Sequence, residues 1–444
     1  MTKKIHIIGA SFSGLACAEK LAQLLPNTQI ILIDKDQSPD YIPNGLNEHL
    51  RGNINHLSQA MWQGLPSSKS KNIVRLHAEV VKIDPKKKEL LLKIDDQDII
   101  FEPYQLLVCA MGSEARSNFI KGSDRDGVIT TKSYFDSQEA LSKIEESQEI
   151  VVVGAGVIGL DFAYSLAQKG KKVTLVEAAN DINFHQFDND MIAPIRTKIN
   201  QKGISLVTNT RVTEIIENQD ESLSVLTDCG QSYKGDIVML AVNFRPNSSL
   251  LENIVDCHLD RTIKVDSVMK TSDPNIYAIG DLIALKQSVI NFPYYSPLIS
   301  HAIRTGQYLA YHLAGIGLSK LEMTKLSGSF NFDYYQSSAG LTEEEGSLYH
   351  QLISYCHKAK LSKDGSLIWI KLIAKRGNGQ LVGCQIISEC NNLLLTNYVS
   401  QAIILKQKDS DLAFHDFIFL KGEGELVYHL HEAAVNLFEK RISL

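Results

Sequence analysis

Residues 4–34, KIHIIGASFSGLACAEKLAQLLPNTQIILID, and residues 149–177, EIVVVGAGVIGLDFAYSLAQKGKKVTLVE, share one pattern. Each reads as strand, glycine turn, helix, strand and terminal acid, which is a complete dinucleotide-binding βαβ unit. In the first, Lys4 to Ile8 is a short apolar strand, and Gly9, Ser11 and Gly14 fill the G-x-G-x-x-G positions with serine second. Gly9 permits the tight turn, and Gly14 permits close helix packing. Ser11 is small enough for the backbone to approach a pyrophosphate resting on the helix N-terminus. Leu15, Ala18, Leu21 and Leu24 follow at helical spacing, and Asp34 ends the next strand, where a carboxylate accepts from an adenosine ribose.

The second unit fills the pattern completely with Gly154, Gly156 and Gly159. Its helix is predicted from Ile158 to about Lys169, with Gly170 closing it and Glu177 ending the second strand. Glu177 favours NADH, because a carboxylate welcomes two ribose hydroxyls and repels a 2′-phosphate. Lys171 and Lys172 precede that strand, at the wrong end to neutralise such a phosphate. Asp161 has two readings: it complements the dipole of its helix, or it contacts the nicotinamide amide. A later segment, NIYAIGD (275–281), places Gly280 and Asp281 just beyond an apolar strand, and PLISHAIRTG (297–306) starts a helix. Asp281 is either a helix cap or a contact for the far half of an extended cofactor.

The chain has 444 residues, 44% hydrophobic and 22% charged, enough for two or three domains of a soluble globular protein. Its net charge of −6 gives no reason to expect nucleic acid or acidic membranes as partners. The start, MTKKIHIIGA, resembles a short signal peptide, but the glycines that follow at once make it a first core strand. No run of 18 apolar residues occurs, so no membrane span is expected. The seven cysteines form no C-x-x-C pair, which fits a reducing, cytoplasmic setting. His185, His301 and His415 are scattered, and no metal site is assigned.

These motifs together resemble the flavin- and pyridine-nucleotide-dependent disulfide oxidoreductases, most nearly the branch of NADH oxidases, NADH peroxidases and coenzyme A disulfide reductases. The resemblance spans nearly the whole chain. It implies an α/β, glutathione-reductase-like fold: two Rossmann-like dinucleotide-binding domains plus a C-terminal α+β dimerisation domain. The boundaries it implies are 1–118 and 252–325 for the FAD domain, 119–251 for the NADH domain and 326–444 for the interface domain. FAD would then meet Gly9, Ser11, Gly14, Asp34, the backbone of Val80, Gly112 in LLVCAMG, Gly280 and Asp281. NADH would meet Gly154, Gly156, Gly159 and Glu177. The return from the NADH domain, VMLAVNFRPN (238–247), carries Asn243 in place of a usual glycine.

The departures lie beside the expected flavin. Asn44, in DYIPNGL, occupies the position of the branch's redox cysteine, and asparagine forms neither a sulfenic acid nor a mixed disulfide. Phe12 stands where oxidases and peroxidases carry a histidine, and it cannot transfer a proton. Val157 replaces an aromatic residue that often covers the flavin. None of Cys17, Cys109, Cys229, Cys257, Cys356, Cys384 and Cys390 obviously substitutes for the missing thiol. Phe12, Pro43 and Asn44 would shape the acceptor side, with Asp161 on the nicotinamide side.

The resemblance therefore implies hydride transfer from NADH to FAD, then electron transfer without sulfur. Dioxygen, giving hydrogen peroxide, or a quinone or dye is the expected acceptor. A ferredoxin- or rubredoxin-like carrier and a slow flavin-bound redox sensor are the alternatives. From residue 326, strands are predicted at Phe330–Tyr335, Ser347–Tyr355, Leu367–Ala374 and Gln380–Ser388, and helices in NLLLTNYVSQAIILKQ and ELVYHLHEAAVNLFEK. This region would form a homodimer interface and bring residues 415–420 near the partner's flavin.

Overall fold

The computed structural model describes residues 4–36, 40–62, 70–94, 98–115, 119–242, 244–421 and 424–443. Five parallel strands build the first sheet, in the order Ile276–Ala278, Leu106–Cys109, Lys4–Ile8, Gln29–Asp34 and Ile73–His77. Ile5, Ile7, Ile30, Leu32, Leu107 and Val108 are all buried, because the strands at the middle of this sheet are covered on both faces. Helix α1 (Phe12–Leu24) follows the first strand, and the short α2 (Gly45–Leu50) follows the second. A three-stranded antiparallel meander, Glu79–Asp84, Glu89–Ile94 and Asp98–Pro103, precedes the strand Leu106–Cys109.

A second parallel sheet repeats the design in the order Ser205–Val207, Lys172–Val176, Glu149–Val153, Ile237–Leu240 and Val128–Ile129. Helix α3 (Tyr134–Glu146) leads into it, started by a capping box of Ser133 and Asp136. Helix α4 (Val157–Gln168) joins its strands Glu149–Val153 and Lys172–Val176, and α5 (Ala193–Gln201) follows. Gly170, at φ +76°, lies just past α4, as the sequence predicts. The chain then returns to the first sheet through Ile276–Ala278, and helix α6 (Ile299–Leu313) packs across α1.

The last region is a five-stranded antiparallel sheet in the order Leu326–Asn331, Tyr334–Gly340, Leu381–Ser388, Leu367–Lys375 and Leu352–Lys360. It carries α7 (Glu343–Ser347), α8 (Leu393–Ile404), α9 (Asp409–Ala413) and α10 (Glu425–Ile442). Two predicted strands need correction. Phe330–Tyr335 is not one strand but the turn of a hairpin, with Phe332 and Asp333 both at positive φ. The aromatic run misled because Phe332 is buried against Tyr164 of α4, not against its own sheet. Ser347 ends α7, and the strand begins only at Leu352, because Thr342 and Glu345 form a capping box that starts a helix there. Lys371 in this sheet is buried and ion-paired to Asp188, Asp190 and Glu343, which ties the sheet to the loop before α5. Among the described residues, no helix is long and apolar enough to cross a membrane.

Candidate functional site

Both glycine loops have the geometry of a phosphate cradle. Gly9 adopts φ +101°, and a Cβ there would lie 2.3 Å from the Ala110 carbonyl oxygen. A Cβ on Gly14 would come within 1.8 Å of the Gly9 carbonyl oxygen, so no side chain fits between turn and helix. Ser11 precedes α1 in extended conformation, and its side chain caps none of the helix's first N–H groups. Those donors remain for an anion. Asp34 sits at the strand end, where Oδ2 accepts the Ala10 N–H at 2.5 Å and Oδ1 accepts the Asp36 N–H at 2.8 Å. Burial pushes its pKa up, against those two hydrogen bonds. Val80 is buried in the first core, on the meander strand that crosses behind this site.

The second loop matches it nearly atom for atom. Gly154 adopts φ +100°, with a Cβ position 2.6 Å from the Ala241 carbonyl oxygen, and a Cβ on Gly159 would reach 1.8 Å from the Gly154 carbonyl oxygen. Nothing among the described residues lies within 4 Å of a Cβ built on Gly156, so the backbone is open to a ligand there. Glu177 Oε2 accepts the Ala155 N–H at 2.5 Å, and Oε1 accepts the Ala179 N–H at 2.7 Å. Val157 begins α4. Asn243 lies outside the described residues.

Asp161 has a partner that neither sequence reading supplies: its carboxylate pairs with Arg51, the residue just after α2. Arg51 Nε also donates to Ser165 at 3.1 Å, and its guanidinium lies 5.4 Å from the Tyr164 ring centre. Burial raises the Asp161 pKa, and Arg51 opposes that shift.

Asp281 is not a helix cap on α6. Its Oδ2 accepts from Ser113 Oγ at 2.8 Å and from Lys132 Nζ at 3.3 Å, and Lys132 also donates to Ser113. Lys132 lies 4.3 Å from the Phe244 ring centre, with its pKa lowered by burial and raised again by Asp281. Gly280, at φ +67°, donates its N–H to Thr305 Oγ1 at 3.0 Å, and Gly112 adopts φ +69° at the end of the neighbouring strand. Open backbone at Gly112 and a partnerless buried ring nitrogen on His301 lie around this cluster. The cradle, the open glycine and that orphan atom fit an extended dinucleotide running from Asp34 to Asp281. Sequence reasoning missed Lys132, Ser113 and Arg51, whose carboxylate partners Asp281 and Asp161 lie more than a hundred residues away and follow no local motif.

On the other side of α1, Asn44 is exposed at the N-terminus of α2, and its Oδ1 accepts from Asn47 Nδ2 at 3.0 Å. The segment 40–42 pairs with 60–62, the Ile42 N–H donating to Ala60 and the Trp62 N–H to Asp40, each at 2.9 Å. Pro43 lies between these pairings and Asn44. Trp62 thereby packs against Phe12, ring centres 5.3 Å apart. Cys17, Cys109 and Cys384 are fully buried thiols whose pKa values burial drives upward, so they are poor nucleophiles. Among the described residues, no cluster of His, Cys, Asp or Glu could hold a metal. His185 approaches Glu345, and His415 stacks near Tyr398.

Residues 3–306 match the pyridine nucleotide-disulphide oxidoreductase family. The chain belongs to that family. It is an oxidoreductase, with FAD and NADH as its cofactors. An NADH oxidase of Lactococcus lactis subsp. cremoris is 26% identical over 443 residues, covering 98% of this chain and 99% of the relative. An NADH oxidase of Methanocaldococcus jannaschii is 28% identical over 423 residues, covering 93% of this chain and 94% of the relative. In fold, the chain is similar to a water-forming NADH oxidase from Lactobacillus brevis bound to NADH, with TM-score 0.93, 22% identity and 99% of each chain covered.

Proposed function

We propose that this protein oxidises NADH and passes the electrons, without a sulfur relay, to dioxygen or to a quinone- or dye-like acceptor. FAD would be held by Gly9, Ser11, Gly14, Asp34, Val80, Gly112, Gly280 and Asp281, and NADH by Gly154, Gly156, Gly159 and Glu177. When bound, FAD supplies the chemistry that takes a hydride from NADH and releases electrons to the acceptor. The protein's own part is to orient and to exclude. Lys132 and Ser113 fix the Asp281 carboxylate, and the two glycine loops set the phosphates. Glu177 reads the ribose that carries no 2′-phosphate.

One observation carries this reading: of the residues proposed to form the acceptor wall, Phe12 packs on Trp62, and neither these two nor Pro43 and Asn44 bear a thiol or a proton-transferring side chain. With dioxygen the balanced step is NADH + H⁺ + O₂ → NAD⁺ + H₂O₂. Water formation needs a second pair of electrons delivered to bound peroxide, and this wall offers no group to relay it. The wall's apolar, aromatic character also suits a flat quinone.

An oxygen electrode tests the stoichiometry. One O₂ consumed per NADH, with half of it returned on adding catalase, is the expected result. Two NADH per O₂ and no peroxide would overturn the reading. The exposed apolar run at Phe414, Ile418, Phe419 and Leu420 supports a homodimer. Seven cysteines without a disulfide among them support the cytoplasm.

A further inference from the structure

Helix α6 crosses α1 so closely that a Cβ on Gly306 would lie 2.3 Å from the Ser13 carbonyl oxygen. That contact fixes α6 against α1, and a Cβ on Gly280 would meet the Ser13 side chain of α1 and lie 3.8 Å from Ala302 of α6, so the segment Gly280–Asp281 packs against both helices. Thr305 defines which face of the helix looks at the segment, because its Oγ1 accepts the Gly280 N–H. His301 stands four residues earlier on the same face, one turn nearer the helix N-terminus. That spacing puts its side chain on the face of α6 that meets the segment. His301 is only 4% exposed, and its Nε2 has no hydrogen-bond partner among the described residues. Asp281 is close enough to act on its charge but is already engaged by Ser113 and Lys132.

A buried ring nitrogen without a partner is costly, and such atoms mark places where a group is missing from the protein alone. The N-cap of α6 is Leu298, which offers no side-chain cap, so the helix's first N–H groups also await a partner. Burial keeps the imidazole neutral, its pKa pushed down to about 4. A neutral ring carries one donor and one acceptor, and ribityl hydroxyls both donate and accept, so either tautomer can be met.

We infer that His301 Nε2 is a hydrogen-bonding group for FAD, meeting the polar ribityl-to-pyrimidine portion of the cofactor beside Asp281. The inference rests on FAD occupying the first nucleotide unit. It gives the substitution His301→Leu opposite effects in the two forms of the protein. Without FAD, Leu removes a partnerless polar atom, so the thermal midpoint holds or rises. With FAD, the bond is lost, and affinity falls about tenfold or more. His301→Gln keeps a polar group at the site and recovers part of the affinity.

The test is FAD titration of apo protein by flavin fluorescence, with melting curves of the apo and FAD-loaded forms for the unmutated, Leu and Gln chains. In the unmutated chain, the ¹⁵N-imidazole signal that the Gln variant lacks should shift when FAD is added, which keeps the test open should the Leu variant not fold. FAD affinity unchanged in the variants, or a ¹⁵N signal that does not move, overturns the role of His301 alone. An unmutated protein that takes up no FAD overturns the cofactor assignment, and the inference with it.

Discussion

At the residue scale, two side chains give the sharpest tests, Glu177 for cofactor choice and His301 for acid behaviour. Glu177 presents a carboxylate already oriented by two backbone N–H groups, so a 2′-phosphate would meet a fixed negative charge. At about 4 Å and an effective dielectric near 20, two unit charges repel by about 4 kcal/mol. Glu177→Ala should therefore raise kcat/KM for NADPH relative to NADH by about tenfold or more, while weakening NADH itself. Steady-state kinetics with both cofactors check this, and an unchanged ratio would remove Glu177 from cofactor choice. His301 governs acid behaviour instead. In the unfolded chain a histidine takes its proton near 6.5, but in the fold only near 4. The unfolded state thus binds more protons between those values, and stability falls as pH drops through that window. The loss is complete below about 4 and absent above about 6.5, and amounts to about 3 kcal/mol at most. Asp281 partly offsets it, and Arg304 adds to it. In FAD-free protein, His301→Gln should become progressively more stable than the parent from pH 7 to 4.5. Urea unfolding across that range measures the difference, and parallel curves would count against a neutral buried imidazole.

At the element scale, the two βαβ units were legible because their determinants are local. Gly9 with Gly14, and Gly154 with Gly159, make contacts within a single turn and helix, so spacing alone encodes them. Asp34 and Glu177 reach back to the same loops. The partner of Asp161 was not legible because Arg51 comes from a different unit, and no periodicity links the two. The hairpin at Phe332 failed for the same reason: the ring that fills its turn belongs to α4. The Arg51–Asp161 pair is a polar tie between α2, which carries Asn44 at its start, and α4. Both side chains are about one-tenth exposed, so removing one leaves a charge buried without its mate. Arg51→Met should cost about 3–5 kcal/mol, whereas the double change Arg51→Met with Asp161→Leu should recover most of it. A double-mutant cycle by chemical denaturation reads both numbers. If each single change costs under about 1 kcal/mol, buried Leu46 and Leu50 hold α2 by themselves.

At the scale of the whole molecule, the C-terminal sheet is tied firmly to its neighbour, while the segment between α9 and α10 is left uncovered. Lys371 and its three carboxylates lock the sheet to the loop before α5, and buried Lys325 pairs with Glu345 nearby. Burial of a lysine among several carboxylates is a positioning device, since removing the lysine leaves the carboxylates facing one another without a counter-charge. The far side of the same unit exposes Phe414, Ile418, Phe419 and Leu420 between α9 and α10, with Ile418 88% exposed. An exposed apolar run of this kind is the mark of an interaction surface. A second copy is the occupant proposed here, since a twofold interface repeats the same patch on both subunits. Exposure of these side chains argues against core packing as their role. Ile418→Asp together with Phe419→Asp should convert a dimer into a monomer while FAD stays bound, because neither residue touches either glycine loop. Light scattering across a concentration series, with the flavin spectrum followed in parallel, measures both. An unmutated protein that stays monomeric at tens of micromolar would show that the run faces some other partner, and loss of flavin on dissociation would mean that the interface also completes the cofactor site.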